Sequence, residues 1–383
     1  MRTMVCWRTP LWILTNGVLS CVLIIGVSPN AQGGALPDAR PDIALPSETV
    51  GWNAIAGALL GVFDKVDVVA LGEAHRRKQD SDLRIALVRH PDFPKKVRNI
   101  VVEFGNAFYQ PTLDRYIRGE NVPLAELQPA WQNTTQVGLW DSPLYAQFFA
   151  AVREINLKLP EIRKLRVLAG DPAIDWSSVR DRAAYDRAMV RRDDSPASIV
   201  RDQVLAKGQK ALLIYGAGHL YRTGGITKAL QDSHPGQIFV VGVIGGSNPV
   251  YEKFENALSS SRRPVLVPLR GTVFGSFSAD EFLGGQLKVV KGLRPRRPLR
   301  EALEAFLGIG TQDAPKPQLQ EVSPFHPKAI LADVEDACVY LGGTADVEDL
   351  VEPDSPIDNR APYQAEIDRR RKIIASGPGP RRN

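Results

Sequence analysis

The sequence predicts an α/β fold in which an open, mostly parallel sheet carries helices on both faces. Five short apolar runs alternate along the chain with longer segments of helical period. Continuous apolar runs of this length are typical of strands that are buried on both faces of a sheet. A repeated order of strand, helix and strand implies parallel strands joined by right-handed crossovers. The composition, 44% hydrophobic and 24% charged, is that of a globular protein and excludes disorder of the whole chain.

The predicted elements begin with a helix at about residues 49–62, after a lead-in rich in proline and glycine. The five predicted strands span residues 66–71, 100–102, 165–169, 211–215 and 239–244. The predicted helices span residues 80–90, 108–118, 143–157, 179–207, with a break near Pro196, and 224–232. Further on, residues 264–268 and 337–341 are predicted edge strands, and residues 363–373 a charged helix. We therefore expect a single domain with helical insertions at residues 50–345, followed by a short C-terminal tail at residues 346–383.

The N-terminus is predicted to be a secretory signal peptide at residues 1–31. Arg2 and Arg8 precede a mostly apolar run at residues 11–27, and no acidic residue occurs before Asp38. A basic start, an apolar stretch and a polar segment with small residues are the parts of such a peptide. We expect an exported protein, periplasmic or secreted, whose mature form begins between about residues 30 and 36. An uncleaved segment would anchor the protein, because its length is at the lower limit for a membrane span.

Charge and cysteine content exclude other classes of protein. The chain has 48 basic and 43 acidic residues, and the net charge of +5 is spread along the sequence. A dedicated nucleic-acid binder would carry a basic patch or stripe, so no nucleic-acid partner is expected. Of the three cysteines, only Cys338 lies in the body of the protein, within an apolar stretch. We predict that it is a buried core residue without an intrachain disulfide.

Polar residues gather where four of the predicted strands end. In chain order these ends carry Gly72-Glu73-Ala74-His75, then Glu103 and Asn106, then Gly170-Asp171 with Asp175, then Gly216-Ala217-Gly218-His219. In an open parallel sheet the ligand crevice lies beyond the carboxyl ends of the strands. His75 and His219, two of the five histidines in the chain, each follow a glycine turn at such an end. The sequence therefore predicts a crevice that contains two histidines and several carboxylates.

Other motifs are absent or weak. The chain has no Gly-x-Ser-x-Gly elbow, no Gly-Lys-Ser/Thr phosphate loop and no His-Glu-x-x-His motif. The Gly216–Gly218 turn suggests a dinucleotide loop, but His219 and the bulky Tyr221 that follow would prevent close approach of a pyrophosphate. Trp140 and its aromatic and acidic neighbours suggest a rim over the crevice. The predicted substrate contacts are Asn106, Asp171, Asp175 and Trp140.

The four motifs resemble the superfamily of erythromycin esterase-like, ChaN-like haem-binding and Tiki proteins, over roughly residues 55–245. The esterase branch is associated with two histidines, two glutamates and an arginine in its site. The resemblance therefore implies a catalytic set of Glu73, His75, Glu103 and His219, with Arg84 matched by its distance along the chain from His75 and Glu103. This chain departs from the esterase branch in having one residue between Glu73 and His75, as in the ChaN-like branch. It also continues with Arg76-Arg77-Lys78 in place of a small residue, so the resemblance does not name a substrate.

The predicted activity is hydrolysis of an ester or related acyl bond of a small-molecule substrate by histidine and glutamate acid–base chemistry. A histidine held by a carboxylate deprotonates water near neutral pH, so either His75 or His219 is the expected base. Glu73 and Glu103 would orient the imidazoles or share a proton. Arg84 would balance the acids and hold a polar substrate.

Two alternatives use the same side chains. His75, Glu103 and His219 suit a divalent metal such as zinc, manganese or iron, which would make the protein a metal-dependent hydrolase. A ChaN-like protein would instead bind haem or iron for uptake, without catalysis. Because Cys-x-x-Cys-His is absent, only non-covalent haem is compatible with the sequence. The expected cofactor stays open between none, haem and a divalent metal.

Overall fold

The computed structural model describes residues 40–284, 289–291, 320–322, 325–348, 350–352 and 361–376. The predicted signal peptide therefore lies outside the described residues. The strands are β1 (Thr49–Val50), β2 (Val68–Glu73), β3 (Asn99–Asn106), β4 (Arg166–Asp171), β5 (Ala211–Gly216), β6 (Ile238–Ile244), β7 (Val265–Pro268), β8 (Val289–Lys291), β9 (Gln320–Val322) and β10 (Ala337–Tyr340). Eight of them form one sheet in the order β1-β7-β10-β6-β2-β5-β3-β4, and β8 pairs with β9 in a separate ribbon.

Helices of varied length connect these strands. They are α1 (Trp52–Val62), α2 (Lys78–Arg89), α3 (Phe93–Lys96), α4 (Gln110–Arg118), α5 (Leu124–Leu127), α6 (Pro129–Gln132), α7 (Pro143–Asn156), α8 (Arg182–Met189), α9 (Asp194–Ile199), α10 (Gly225–Ser233), α11 (Tyr251–Ala257), α12 (Ala279–Leu283), α13 (Leu331–Val334) and α14 (Ala361–Ala375). Among the described residues, no helix is long and apolar enough to cross a membrane.

The predicted α/β class is confirmed by a mostly parallel sheet with helices on both faces, in which β7 pairs antiparallel with β10 and β1. The pairs of β4 with β3, β3 with β5, β5 with β2, β2 with β6 and β6 with β10 are all parallel. Side chains alternate along β2, so Val69 and Leu71 pack in the core beneath α1, α2, α4 and α7. Val68 and Ala70 pack in the core on the other face, with residues of α9 and α10. Burial of both faces explains why these strands are continuous apolar runs in the sequence.

The strands extend further than their apolar runs. The strand predicted at residues 100–102 continues to Asn106, and the strand predicted at 66–71 continues to Glu73. Backbone pairing accounts for this, because Glu73 at the end of β2 is in register with Gly216 at the end of β5. The polar residues expected just beyond the sheet are thus partly held within it.

The prediction that residues 264–268 and 337–341 are edge strands is wrong. β10 lies between β6 and β7, and β7 lies between β10 and β1. The two-residue strand β1, at the start of the segment predicted as helix, pairs with β7 and forms the edge itself. So short a pairing leaves no pattern in the sequence.

The helix predicted at residues 179–207 is interrupted, as expected, but in more than one place. It consists of α8, α9, a π-turn at Val200–Val204 and a 3₁₀ turn at Leu205–Lys207. Arg192 and Asp193, between α8 and α9, contact Glu103 and His219 at the carboxyl ends of the strands. The C-terminal helix α14 also packs on the domain, because Ile367 and Arg370 on one of its faces are buried.

Candidate active site

The carboxyl ends of four adjacent strands carry the predicted site. Their order in the sheet is β2, β5, β3 and β4, although β5 follows β4 along the chain. Glu73, Gly216 and Asp171 are the last residues of β2, β5 and β4, and Glu103 lies in the carboxyl half of β3. His75 and His219 follow β2 and β5 in the turns that leave the sheet. This arrangement brings polar side chains together as the topology predicts.

Glu73 joins His75 to Arg84. Its Oε1 lies 3.2 Å from Nδ1 of His75, and its Oε2 accepts a hydrogen bond of 2.5 Å from the Arg84 guanidinium. Arg84 is 2% exposed, and its guanidinium lies over the rings of Phe104 and Tyr145, 5.0 Å from each centroid. Arg84 therefore supports Glu73 from within the core and does not extend into the crevice.

Glu103 is a buried carboxylate that accepts hydrogen bonds from three donors. Oε1 accepts hydrogen bonds from Gln136 and, at 2.6 Å, from Arg192. Oε2 accepts the backbone N–H of Gly216 at 2.6 Å. Burial by itself would raise the pKa of Glu103, but the nearby His219, His75 and Arg192 outweigh it and lower the pKa to about 2. Glu103 is therefore ionised across the physiological pH range.

His219 lies between two carboxylates. Its Nδ1 is 2.7 Å from Oδ1 of Asp193, and its Nε2 is 3.6 Å from Oε1 of Glu103. The imidazole also packs against the ring of Tyr215, with centroids 6.2 Å apart. The His219 side chain is 5% exposed, so water screens its electrostatic interaction with the two carboxylates only weakly.

His75 and Glu103 converge at the Gly216 turn. A Cβ added to Gly216 would lie 2.8 Å from Cε1 of His75 and 3.2 Å from Oε2 of Glu103. Only glycine leaves room for both side chains at this position. The predicted meeting of Glu73, His75, Glu103 and His219 at one sheet edge is thus present in the structure.

The predicted substrate contacts lie in different surroundings. Trp140 is buried and packs edge-on against His75, with ring centroids 4.6 Å apart. Asp171 is buried and accepts hydrogen bonds from the N–H and hydroxyl of Thr135 at 2.7 and 2.5 Å. Burial raises the pKa of Asp171 to about 7, although the two Thr135 hydrogen bonds oppose the shift.

Asn106 and Asp175 are engaged in local structure. The Asn106 side chain is completely buried and bonds to the backbone of Phe108, Asn133 and Ile174. Asp175 accepts hydrogen bonds from the N–H and hydroxyl of Ser177, at 2.9 and 2.7 Å. Asn106 thus shapes the loop that holds residues 133–136, and Asp175 caps a turn.

Four residues of the site were not predicted from the sequence: Thr135, Gln136, Arg192 and Asp193. Gln136 and Thr135 come from the loop before Trp140, and Arg192 and Asp193 from the break between α8 and α9. The charged run Arg191-Arg192-Asp193-Asp194, shortly before the helix break predicted at Pro196, was the available signal. Among the residues that the structure describes, no three His, Cys, Asp or Glu side chains are grouped so as to hold a metal ion.

No protein-family model matches the chain, and no curated protein matches it. Several solved structures do. A Bacillus cereus protein is 12% identical, with 83% of this chain and 96% of that chain covered, at a TM-score of 0.48. An erythromycin esterase variant in its open conformation is 15% identical, with 79% of this chain and 96% of that chain covered and a TM-score of 0.43. ChaN of Campylobacter jejuni, described with cofacial haem binding, is 16% identical over 51% of this chain and 86% of its own, at a TM-score of 0.36.

The similar structures thus include an erythromycin esterase and ChaN, the two branches that the sequence motifs resemble. The likeness concerns the fold alone, and no activity is taken from it.

Proposed function

We propose that this protein is a hydrolase that cleaves an ester or related acyl bond with two histidines held by carboxylates. One observation carries the proposal: Nδ1 of His75 lies against Glu73 and Nδ1 of His219 lies against Asp193. Nε2 of His219 lies 3.6 Å from Glu103, and the His75 ring borders the same Gly216 turn as Glu103. A carboxylate at Nδ1 fixes the tautomer and leaves Nε2 to exchange protons with a substrate or water. Two such rings can supply a proton acceptor and a proton donor.

His219 is the proposed proton donor. Its Nε2 lies 3.6 Å from the ionised Glu103, and a protonated Nε2 is attracted to that carboxylate. His75 is the proposed base, with Nδ1–H donated to Glu73. Water would lose a proton to Nε2 of His75 as its oxygen bonds to the acyl carbon, and the leaving oxygen would take a proton from His219 as the acyl–oxygen bond breaks.

The surroundings of the histidines support acid–base chemistry more than haem ligation. Haem iron takes its axial ligand within a largely apolar slot. Nε2 of His219 instead faces a carboxylate that is itself bonded to Arg192. Charged partners of this kind suit a group that gains and loses a proton.

The test is a hydrolysis assay with p-nitrophenyl esters, lactones and short peptides as probes. We expect His75→Ala and His219→Ala each to lower kcat/KM by about 10² or more, because a positioned acid or base contributes about 10² to 10⁴ in rate. His234→Ala is the matched control, since His234 follows α10 at the opposite end of the sheet and its Nδ1 contacts Ser233 at 2.9 Å. Circular dichroism of each variant establishes that it is folded.

Chelation and haem titration separate the alternatives. Activity that survives a chelator supports the proposed mechanism, and activity restored only by zinc or manganese supports a metal-dependent hydrolase instead. If no probe is hydrolysed, but haem binds with a Soret band that His75→Ala or His219→Ala abolishes, the hydrolase proposal is wrong and haem binding replaces it.

We also propose that the protein is exported, on the basic start and apolar run of residues 1–31. N-terminal sequencing of the protein from the periplasm or the medium should give a first residue between about 30 and 36. Recovery of the protein with Met1 in the inner membrane would contradict cleavage and indicate an anchor.

A further inference from the structure

The residue that follows His75 has a strained backbone. Arg76 has a φ of 66° and is the one non-glycine residue with positive φ among those that the structure describes. The left-handed region is unfavourable for a residue with a Cβ, and such a conformation persists only where its surroundings impose it. Arg76 lies between His75 and α2, so its conformation sets the orientation of the His75 loop relative to α2.

A distant segment of the chain supplies most of the contacts that impose this conformation. The Arg76 carbonyl accepts a hydrogen bond from the N–H of Val351 at 2.9 Å, and the Arg76 guanidinium pairs with Glu352 at 2.6 Å. The next residue, Arg77, forms an antiparallel bridge with Leu350. A fourth contact comes from α7, where the hydroxyl of Tyr145 accepts a hydrogen bond from the Arg76 N–H at 2.9 Å. Residues 350–352, here called the brace, thus bind the loop of His75.

The helix that follows the brace contacts the other wall of the site. The Tyr363 hydroxyl, on α14, donates to the carboxylate of Asp141 at 3.0 Å. Asp141 adjoins Trp140, whose indole packs against the His75 ring. Arg370, also on α14, donates to Oδ1 of Asn133 at 2.8 Å, in the loop that carries Gln136.

We propose that the brace and α14 belong to the active site as positioning elements that hold His75. The brace keeps Arg76 in the left-handed conformation that places the His75 ring beside Glu73 and Gly216. α14, through the contact of Tyr363 with Asp141, keeps Trp140 packed against the same ring. The effect on turnover rests on the proposed function, whereas the effect on the His75 ring does not.

The first experiment follows the histidine rings directly. Val351→Pro removes the N–H that donates to Arg76, because proline has no backbone N–H, while the matched control Val351→Ala keeps it. In ¹⁵N-histidine NMR spectra of the full chain, with the His75 signals assigned by their loss in His75→Ala, we expect Val351→Pro to shift and broaden the His75 ring signals. Val351→Ala should leave them in place. His75 signals unmoved in a folded Val351→Pro variant would overturn the proposal.

The second experiment asks whether the brace acts through the strained residue. Glycine adopts the left-handed region without a Cβ clash, so Arg76→Gly lessens the need for an imposed conformation. We expect Val351→Pro to lower kcat about 10-fold or more in the Arg76 background, since a small misplacement of a reacting group is costly, and less than about threefold in the Arg76→Gly background. Equal losses in the two backgrounds would show a general structural role and contradict the proposal.

Failure of the proposed function and failure of the positioning role give different results. If no substrate is hydrolysed but the His75 signals shift as expected, the hydrolase proposal fails and the positioning role stands. Should Val351→Pro not fold, Tyr363→Phe tests the opposite wall, because it removes only the hydroxyl that contacts Asp141. Its expected effect is a shift of the His75 ring signals through Trp140, and unshifted signals would then overturn the proposal.

Discussion

The carboxylate of Asp193 lies 2.7 Å from Nδ1 of His219, and it comes from the break between two helices and not from the end of a strand. Partial burial would raise the pKa of Asp193, but the neighbouring His219 and Arg192 prevail and lower it. His219 therefore faces an ionised carboxylate on each side, Asp193 at Nδ1 and Glu103 near Nε2. A ring held in this way has one orientation and one preferred tautomer.

Asp193→Asn should lower kcat by about 10² to 10⁴ while leaving the fold intact. The asparagine amide can donate to Nδ1, which would favour the tautomer with the proton on Nε2 and spoil proton exchange there. Asp194→Asn is the matched control, because Asp194 is the adjacent exposed carboxylate. Steady-state kinetics on an ester probe measure the effect, and an Asp193→Asn enzyme as fast as Asp194→Asn would exclude this role.

Glu103→Gln should destabilise the protein at neutral pH. The pKa of Glu103 is lowered to about 2 in the folded state from an ordinary value of 4.5, so its ionisation adds stability above about pH 4.5 that is lost as the pH falls toward 2. Removing the charge breaks the buried ion pair of Glu103 with Arg192, and removing one partner of such a pair costs about 3–5 kcal/mol.

Urea unfolding at pH 7 and at pH 3 checks this prediction. The difference between Glu103→Gln and the wild type should be largest at pH 7 and smaller at pH 3. Glu154→Gln, at an exposed surface position, should stay within about 0.5 kcal/mol of the wild type at pH 7. A difference that grows on acidification would contradict the assigned direction of the pKa shift.

The convergence of Glu73, Glu103 and His219 could be predicted from the sequence because it depends on topology. Strand and helix periods indicated a parallel sheet, and residues that follow parallel strands meet at one edge. The family resemblance added Arg84, which the hydrophobic periodicity of the sequence would not have identified as a site residue. In the structure it balances Glu73 from within the core.

The partners Gln136 and Asp193 could not be predicted in this way, because they lie in irregular segments. No periodic signal fixes where a loop places a side chain, and the position of residues 190–193 depends on tertiary packing of α8 and α9. The C-terminal segment was likewise expected to be a tail, whereas Leu350 and Tyr363 contact the two walls of the site. Contacts over more than 200 residues of sequence leave no local pattern.

Gly170→Ala should destabilise the protein, and Tyr215→Phe should partly restore it. A Cβ on Gly170 would lie 2.1 Å from the Tyr215 hydroxyl oxygen and 2.9 Å from the Val102 carbonyl oxygen. The Tyr215 hydroxyl is buried without a hydrogen-bond partner among the described residues, so Tyr215→Phe alone should be neutral or slightly stabilising. The Val102 contact stays in the double variant, which limits the rescue.

Thermal unfolding of the two single variants and the double variant measures the coupling. We expect Gly170→Ala to cost about 1–3 kcal/mol, as overpacking does, and the cost to be smaller in the Tyr215→Phe background. Additive effects would show that the hydroxyl does not limit the space above Gly170.

Glu335→Gln should make the protein more stable than the wild type as the pH rises. Glu335 is buried at the amino end of β10, its Oε2 has no hydrogen-bond partner among the described residues, and a Cβ on Gly242 would lie 2.1 Å from that oxygen. Burial, together with the adjacent Asp336, raises the pKa of Glu335 to about 8 from an ordinary 4.5. Between these values the unfolded chain is ionised while the folded chain keeps the proton, so the wild type loses stability from about pH 4.5 to about pH 8.

A neutral glutamine does not titrate, so the free energy of unfolding of Glu335→Gln should lack this decline. From pH 5 to pH 8, the free energy of unfolding of the variant should rise by about 1–4 kcal/mol relative to that of the wild type, since each unit of pKa shift corresponds to about 1.4 kcal/mol. Any cost of the buried amide does not change with pH and so does not affect this difference. Denaturant unfolding across that range measures the difference, with the exposed Glu281→Gln as a control that should run parallel to the wild type. Parallel curves for Glu335→Gln and the wild type would mean that Glu335 is ionised in the folded protein at neutral pH, which would require a buried partner for its Oε2.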